Sequence, residues 1–375
     1  MKIGFVIYGS LDTLSGGYLY DRKLVEYLRE QGDTVEIISL PWRNYAAHLT
    51  DNFSFRLWNS KTRQQAVGLQ KFDILIQDEL NHPSLIAANR GKHPYPIISL
   101  VHHLRCSELR SKWQNDLYRV VEKKYLQSVD GFIFNSQTTK GVVNGLIGNG
   151  MPSVVAYPPT DRFGESISEE EISERATSDK FKIIFLGNII ERKGLHTLLQ
   201  ALFILHAKHS SFILDIVGSL TTDPNYAKQM QDFVTDNGLH LHRTAFGAVQ
   251  VSSIVNFHNS LDNEPLKQKL TQAHVLIVPS SYEGFGIVYL EGMAFGLPAI
   301  GTTAGAAGEI IEHGKTGYLI EPNDSTTLAT HITQLASDRK LLTELSLNTR
   351  KRYIQQPSWN ETAGQIRTFL QSMIR

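Results

Sequence analysis

Two carboxylates bracket a glycine-rich turn in the second half of the chain. Glu283 precedes Gly284-Phe285-Gly286, and Glu291 lies about one helical turn inside the apolar segment that follows. The apolar run before this turn, 275–279, predicts a buried strand. Loop glycines let a ligand approach the backbone, a helix start offers N–H groups to a phosphate, and carboxylates accept hydrogen bonds from hydroxyl groups. The pattern predicts a site for a phosphate flanked by sugars, which is the chemistry of a nucleotide sugar.

A pair of adjacent cations follows another predicted strand. Gly187-Asn188 leaves that strand, and Arg192 and Lys193 then begin the next predicted helix. A guanidinium binds a diphosphate as a fork, and an ammonium binds it as a point charge. A solvated basic helix start is the alternative, but cations oppose the helix dipole at an N-terminus. We therefore predict that this pair neutralises a diphosphate.

Short apolar strands alternate with helical segments along the chain, which predicts parallel sheets covered by helices on both faces. In the first half the predicted strands are 1–8, 34–40, 74–76, 97–101, 131–134 and 153–156. In the second half they are 182–187, 212–218, 254–257, 275–278 and 299–302. Both halves are typical of an α/β, Rossmann-like domain. Because such domains bind ligands at the carboxyl ends of their strands, we expect the two domains to face a central cleft.

A polar stretch sets the predicted domain boundaries. Residues 164–180 contain three consecutive glutamates and almost no apolar side chains, which predicts an interdomain linker. The linker separates an N-terminal domain, 1–163, from a C-terminal domain, 181–356. We expect a final helix, 357–375, to pack back onto the N-terminal domain.

Composition limits the classes of protein that the chain can represent. Its 375 residues exceed one ordinary domain. Lys plus Arg and Asp plus Glu each total 37, so no net charge attracts nucleic acid. The single cysteine, Cys106, excludes an internal disulfide and fits a reducing compartment. Neither a signal peptide nor an apolar run of membrane-spanning length is present, so we expect a cytoplasmic protein.

Taken together, these motifs resemble the retaining GT-B glycosyltransferases of family 4, the glycosyl transferases of group 1. The resemblance rests on Gly187-Asn188, on Arg192-Lys193-Gly194, on the Glu-x7-Glu spacing of Glu283 and Glu291, and on the segments 302–309 and 314–322. It covers nearly the whole of residues 181–335. It implies transfer of a sugar from a nucleoside-diphosphate sugar with retention at the anomeric carbon. It also implies no bound metal or other cofactor, an acceptor domain at 1–163 and a donor domain at 181–356.

The resemblance implies a role for each matching residue. Arg192 and Lys193 stabilise the leaving diphosphate, Glu283 contacts the donor sugar, and Glu291 accepts hydrogen bonds from the ribose hydroxyls. The donor also contacts Gly187 and Asn188, the backbone amides of Phe285, Gly286 and Ile287, and the first-loop glycines Gly16 and Gly17. A capping or surface carboxylate is the alternative for either glutamate, and packing alone is the alternative for the first-loop glycines.

Polar residues at two strand ends of the first half complete the predicted site. His102 and His103 follow the strand 97–101, and in the family a histidine at this place contacts the donor sugar. The register favours His102 for that catalytic role and leaves His103 as an acceptor candidate. Asp78 and Glu79 follow the strand 74–76 and are further acceptor candidates, although a turn capped by carboxylates explains them almost as well. The remaining histidines are scattered, so no cluster has metal-ligand spacing.

Residues 110–125 are basic with interleaved aromatic residues. Several family members use such a surface to contact anionic lipid, which implies a peripheral membrane contact at the inner face of the membrane. An ordinary amphipathic helix with a solvated face is the alternative, and Asp116 and Glu122 interrupt the basic pattern.

The nucleotide base depends on a segment that departs from the family pattern. Asn259 occupies the position where a glycine is usual, and the stretch 239–253 is longer than usual. We favour a UDP-sugar, with a GDP-sugar second, and leave the acceptor unidentified. The alternatives to a transferase are a GT-B epimerase or phosphorylase, and a catalytically silent nucleotide-sugar-binding subunit.

Overall fold

The fold consists of two α/β units, each built on a six-stranded parallel sheet. The first unit comprises Met1–Pro159 with Pro357–Arg375, and the second comprises Thr160–Gln356. The computed structural model describes residues 1–13, 15–53, 72–90, 93–159, 162–164, 167–207, 212–239, 242–243, 249–250 and 253–374. The prediction of two parallel, Rossmann-like sheets is confirmed.

The sheet of the first unit has the strand order β2-β1-β3-β4-β5-β6. Its strands are β1 (Lys2–Tyr8), β2 (Thr34–Leu40), β3 (Ile74–Asp78), β4 (Ile97–Val101), β5 (Gly131–Phe134) and β6 (Ser153–Val155). Successive residues of β1 pack into the two apolar layers, with Ile3, Phe5 and Ile7 on one face and Val6 and Tyr8 on the other. Because both faces are covered, the strands are apolar almost throughout.

The helices of this unit follow its strands. Among the described residues before Pro159 they are α1 (Gly16–Glu30), α2 (Tyr45–Thr50), α3 (His82–Leu85), α4 (Lys112–Leu126) and α5 (Gln137–Ile147). Helix α1 begins where Ser15 caps the amide of Tyr18, and it buries Leu24 and Leu28 against the sheet. None of the helices in the described ranges has the length and apolarity needed to cross a lipid bilayer.

The sheet of the second unit has the order β11-β8-β7-β12-β13-β14. Its strands are β7 (Phe181–Leu186), β8 (Phe212–Val217), β11 (Ser253–His258), β12 (Val275–Ile277), β13 (Ala299–Thr302) and β14 (Gly317–Ile320), and an antiparallel pair is formed by β9 (His242–Arg243) and β10 (Val249–Gln250). Strand β14 lies inside the motif 314–322 and adds to the strands that the sequence predicts. The long stretch 239–253 lies largely outside the described residues.

The helices of the second unit correct the predicted linker. They are α6 (Glu169–Ala176), α7 (Leu195–Ala207), α8 (Pro224–Asp236), α9 (Asn263–Gln272), α10 (Ile287–Met293), α11 (Ser325–Ser337) and α12 (Arg339–Ile354). Helix α6 lies within 164–180 and packs against α12. A capping box of Ser168 and Glu171 starts it, and Ile172 and Ala176 are its buried side chains. The two apolar residues share one helical face, so even this polar sequence forms a packed helix.

The last helix, α13 (Trp359–Met373), belongs to the first unit and packs against α1. Ala363, Ile366 and Leu370 are fully buried in the same apolar layer as the side chains of α1. Nε of Arg367 lies 2.7 Å from Oδ2 of Asp33, and that carboxylate also accepts a hydrogen bond from the N-terminal amine.

Each sheet has one point where the direction of strand addition reverses. In the first unit, β2 and β3 lie on opposite sides of β1. In the second unit, β8 and β12 lie on opposite sides of β7. Ligands of open α/β sheets bind outside the carboxyl ends of the strands at such a point. In the first unit the loops after β1 and β3, and in the second unit the loops after β7 and β12, are therefore where each sheet is expected to bind a ligand.

Candidate active site

The loops after β7 and β12 bring two cations to one carboxylate. Nζ of Lys193 lies 2.5 Å from Oε1 of Glu283, and Nη1 of Arg192 lies 3.9 Å from Oε2 of the same residue. Arg192 also donates a hydrogen bond of 2.8 Å to the carbonyl of Tyr282. The hydroxyl of Ser280 donates to Oε1 of Glu283 at 2.5 Å. The predicted residues Arg192, Lys193 and Glu283 thus form one cluster at the reversal point of the second sheet.

The charges of this cluster depend on one another. Burial alone would raise the pKa of Glu283, but Lys193 and Arg192 lower it to about 2. Burial lowers the pKa of Lys193, and Glu283 opposes that shift. Two cations therefore face one carboxylate, and the cluster keeps a surplus positive charge for an anionic ligand.

The local structure around the cations differs from the predicted helix start. Glu191–Lys193 forms a single 3-10 turn, and α7 begins only at Leu195. Gly194 between them has a φ of +71°, and a Cβ there would lie 2.0 Å from the carbonyl oxygen of Pro279. Only glycine lets the turn approach the loop after β12 this closely. The cations therefore point to Glu283 and are not part of the helix.

A second close approach fixes the backbone of Glu283. Its amide donates to the carbonyl of Ala304 at 3.3 Å, and its carbonyl accepts from the amide of Ala306 at 2.8 Å. Gly305 has a φ of +87°, and a Cβ there would lie 2.1 Å from the carbonyl oxygen of Glu283. The motif 302–309 thus positions Glu283 through backbone contacts.

The predicted ribose-binding residue, Glu291, lies in α10 and pairs with Arg162. Nη2 of Arg162 also lies 3.1 Å from Oδ1 of Asn263. Burial raises the pKa of Glu291, and the Arg162 guanidinium opposes that rise. Glu291 is therefore a shielded acceptor whose charge is compensated.

The other predicted donor residues lie around these charges. Gly187 leaves β7, and a Cβ there would lie 3.5 Å from Cε of Lys193. Asn188 follows, and its carbonyl accepts from the amide of Ile190. Phe285 is buried, Gly286 has a φ of +95° and Ile287 is the first residue of α10.

In the first unit, the strand end at β4 places His102 beside α1. Nε2 of His102 lies 3.0 Å from Oδ1 of Asp21, a carboxylate with no exposed surface. A Cβ at Gly17 would lie 3.3 Å from the His102 ring, so the start of α1 is close to the imidazole. Gly16 is exposed at the first position of that helix. The predicted residues Gly17 and His102 are thus neighbours.

The acceptor candidates occupy less accessible places. Asp78 and Glu79 are each 1% exposed, and Asp78 caps a turn through the amide of Leu80 at 2.9 Å. Binding of acceptor hydroxyls by either acid requires accessible oxygen atoms, which this burial does not provide. Nε2 of His103 lies 3.1 Å from Oε1 of Glu108, and its side chain is 25% exposed. His103 remains the accessible candidate of the three.

Chain spacing predicted no metal cluster, yet the fold brings the ligating atoms of Asp21, Asp78 and His102 within 4.8 Å of one another. In this group Nε2 of His102 lies 3.0 Å from Oδ1 of Asp21, at hydrogen-bonding distance, and we assign the contact to hydrogen bonding. A second buried group of the same kind consists of Glu79, His82 and Glu122, and Nδ1 of His82 bonds to the carbonyl of Glu79.

Residues 166–352 match the family model described as glycosyl transferases group 1. The chain belongs to this family. The interpretation of the motifs is confirmed at the level of the family and of a glycosyltransferase enzyme.

Two glycosyltransferases illustrate the extent of the sequence similarity. The chain is 29% identical to the capsular polysaccharide biosynthesis glycosyltransferase CapM of Staphylococcus aureus, over 54% of this chain and 50% of CapM. It is 24% identical to the uncharacterized glycosyltransferase MJ1607 of Methanocaldococcus jannaschii, over 97% of this chain and 96% of that protein. The chain therefore spans half the length of one relative and nearly all of the other.

A solved structure confirms the predicted GT-B fold. HepE of Anabaena, determined in complex with UDP-glucose, superposes with a TM-score of 0.73 at 19% identity. The superposition covers 99% of this chain and 100% of HepE.

Three residues of this group 1 glycosyltransferase escaped the sequence analysis. Ser280 directly precedes the acidic motif, so its hydroxyl could have been inferred from adjacency. Asp21 lies on the buried face of α1, where helical periodicity predicts an apolar residue. An acidic residue at such a position indicates a functional or paired carboxylate. Arg162 has no local signal, because it lies 129 residues from its partner Glu291.

Proposed function

We propose that this protein is a retaining glycosyltransferase that moves a sugar from a nucleoside-diphosphate sugar to an acceptor hydroxyl. The supporting observation is the cluster in which Arg192 and Lys193 surround Glu283 at the reversal point of the second sheet. A diphosphate that enters the cluster replaces the Glu283 carboxylate as the partner of both cations, because it carries more negative charge. The structure of HepE with UDP-glucose supports a UDP-sugar as the first choice of donor, with a GDP-sugar second.

The charged residues of the site have separate roles in the proposed reaction. Arg192 and Lys193 stabilise the charge that develops on the leaving diphosphate, so no metal ion is required. Glu283 accepts hydrogen bonds from the sugar, and Glu291 accepts them from the ribose. The bond between the sugar and the diphosphate breaks through an oxocarbenium-like state. The acceptor hydroxyl passes its proton to the leaving diphosphate and attacks the same face of the sugar, which retains the anomeric configuration.

Calorimetric titration of UDP and uridine tests the assignment of the binding groups. Lys193→Ala should weaken UDP about tenfold or more and leave uridine unchanged, because only UDP carries the diphosphate. Glu291→Gln should weaken both ligands by a similar factor, because both carry the ribose. Lys315→Ala, which removes an exposed lysine paired with Glu312, is the matched control. Equal loss of both ligands in Lys193→Ala would remove the diphosphate assignment.

Turnover then distinguishes the proposed reaction from its alternatives. A thermal-shift screen of nucleotide sugars identifies the donor, because a bound ligand raises the melting temperature and, at equal concentration, a tighter ligand raises it more. Incubation with donor alone should give no isomerised sugar, whereas an epimerase would produce it. Transfer should persist in EDTA, and NMR of the product should show the donor's anomeric configuration. A protein that binds the donor but never transfers or hydrolyses it is a silent subunit.

We further propose that α4 contacts an anionic lipid surface. Trp113, Leu117 and Val120 are 68%, 52% and 53% exposed and recur at helical spacing along one side of α4, and Leu109, which is 60% exposed, lies just before the helix. The helix also carries the basic residues Lys112, Arg119, Lys123 and Lys124. Glu122, which interrupts the basic pattern in the sequence, is buried and accepts from the amide of Arg105. An exposed apolar stripe beside lysine and arginine fits an anionic bilayer.

Vesicle sedimentation tests this surface. The protein should bind vesicles that contain phosphatidylglycerol and not pure phosphatidylcholine vesicles. Trp113→Ala combined with Leu117→Ala should abolish binding, whereas Phe203→Ala, which removes a 43% exposed phenylalanine of α7, should not. Equal sedimentation of both variants would contradict the proposal.

A further inference from the structure

The first unit contains two buried carboxylates beside one imidazole. Oδ1 of Asp21 lies 3.0 Å from Nε2 of His102, and Oδ1 of Asp78 accepts from the amide of Leu80 at 2.9 Å. The second oxygen of each acid, Oδ2, is buried and has no hydrogen-bond partner within the part of the chain that the structure describes. A buried acceptor without a donor is costly, so the two Oδ2 atoms indicate that the cluster binds a proton.

Charge balance indicates where the protons lie. With a neutral imidazole and two ionised acids, the cluster would carry two buried negative charges close together. Burial alone would lower the pKa of His102, but Asp21 raises it to about 9. Burial, and then the charge of Asp21, raise the pKa of Asp78 well above its usual range. A cationic imidazole, one carboxylate and one neutral acid give a cluster with no net charge.

We propose that Asp21 is a positioning residue that holds His102 as an imidazolium, with its Nδ1–H directed away from Asp21 toward a ligand oxygen, and that Asp78 is the neutral acid of the cluster. Nδ1 of His102 has no hydrogen-bond partner among the described residues, and the side chain retains 12% exposure. An N–H donor with a positive charge suits a hydroxyl or phosphate oxygen. The use of this donor in sugar transfer rests on the function proposed above.

The surroundings of the ring keep it in this orientation. The Tyr20 ring contacts it edge-on with centroids 5.5 Å apart, and the amide of Asn135 donates to the His102 carbonyl at 2.9 Å. Besides Asp21 and Asp78, the titratable groups around the cluster are Glu79 from the end of β3, the adjacent His103, and Tyr18 and Tyr20 of α1. Glu79 adds to the stabilisation of the cation, and neither tyrosine ionises near neutral pH because burial raises the pKa of both.

NMR titration of the His102 imidazole tests the cluster without any activity. In the wild type the ring should stay protonated through pH 8. Asp21→Asn should move its midpoint below 6.5, because the ring then keeps the burial and loses the carboxylate. Asp78→Asn should leave the midpoint near that of the wild type, because an amide replaces an acid that is already neutral. Asp116→Asn, on the exposed side of α4, is the control.

The pH dependence of sugar transfer tests whether Asp21 acts on the reaction through His102. Asp21→Asn should lower kcat/KM about tenfold to a hundredfold at pH 7.5, and Asp21→Glu should restore part of it. The residual activity of Asp21→Asn should rise as the pH falls, because the imidazolium is then recovered. A midpoint near 6.5 in wild-type His102, equal shifts in both Asn variants, or one Zn²⁺ bound per wild-type chain and lost in Asp78→Asn would overturn the proposal. Absence of any sugar transfer would instead overturn the proposed function and leave the NMR result valid.

Discussion

Nζ of Lys193 lies 2.5 Å from Oε1 of Glu283, although the two residues are 90 positions apart in the chain. They meet because β7 and β12 are neighbours in the sheet, and the loop after each strand emerges at the same edge. Their side chains are only 15% and 8% exposed. Each charge is compensated mainly by the other, with Arg192 as a second partner of Glu283, so loss of either one leaves a shielded charge that is only partly compensated.

This dependence predicts that the effects of Lys193 and Glu283 on the free energy of unfolding are strongly coupled. Lys193→Ala and Glu283→Gln should each lower the free energy of unfolding by about 3 kcal/mol, because one charge of a buried pair remains. The double variant should lose about 2 kcal/mol less than the sum of the single losses. Urea denaturation of the four proteins measures both values.

The exposed pair of Lys315 and Glu312 provides the control for this cycle. Its side chains are 60% and 57% exposed, so its coupling should stay below about 1 kcal/mol. Additive losses at Lys193 and Glu283 would mean that the pair does not exist in solution.

Gly305→Ala should disturb Glu283 although it changes no charged residue. The added Cβ would lie 2.1 Å from the Glu283 carbonyl, at a φ of +87°. We expect a loss of about 2 kcal/mol or more in the free energy of unfolding, with weaker binding of UDP. The control is Gly308→Ala, whose Cβ has its nearest neighbour, Cδ1 of Leu319, at 3.6 Å and which should change stability by less than about 0.5 kcal/mol. Similar losses in both variants would show that strain at Gly305 is not the cause.

The sequence predicts the parallel sheets well, because buried parallel strands are continuous apolar runs bounded by polar turns. It predicts less about the ends of elements. Arg192 and Lys193 were expected to begin a helix, whereas a close contact of Gly194 with Pro279 holds them in a 3-10 turn. That contact joins residues far apart in the chain, so local propensity does not contain it.

The candidate site was predicted where its residues form local motifs. Glu283, Glu291 and the basic pair were found from spacing, because the residues of each motif are close together in the sequence. The partners of these residues were not found, since Arg162 and Asp21 act across the fold. Asp78 and Glu79 were expected to reach an acceptor, but Asp78 is the last residue of β3, Glu79 follows it, and both side chains are buried.

Leu370→Ala tests the attachment of α13 to the first unit. Leu370 is fully buried in the apolar layer shared with α1, so truncation should cost about 2 to 5 kcal/mol. Gln371→Ala, at the next and exposed position, should cost less than about 0.5 kcal/mol. Hydrogen exchange should show faster exchange in residues 1–159 of the Leu370 variant. Faster exchange confined to residues 160–356 would contradict the observed packing.

The pH dependence of the free energy of unfolding should distinguish two buried glutamates, Glu283 and Glu79, because their ionisation changes stability in opposite directions. The pKa of Glu283 in the folded protein is about 2, below the ordinary 4.5, so its ionised form contributes stability that is lost as the pH falls from about 4.5 to about 2. The destabilisation caused by Glu283→Gln should therefore shrink over that range.

Glu79 should behave in the opposite way. Burial raises its pKa in the folded protein to about 7, so folding disfavours its charged form and stability is lost as the pH rises from about 4.5 to about 7. Glu79→Gln should therefore gain stability relative to the wild type as the pH rises through that window. Urea unfolding of the three proteins at closely spaced pH values between 2.5 and 8 measures both trends, with ranges chosen from the pKa values above. If the two variants changed in the same direction, the assignment of a Glu283 whose pKa is lowered by its cations and of a Glu79 whose pKa is raised by burial would be wrong.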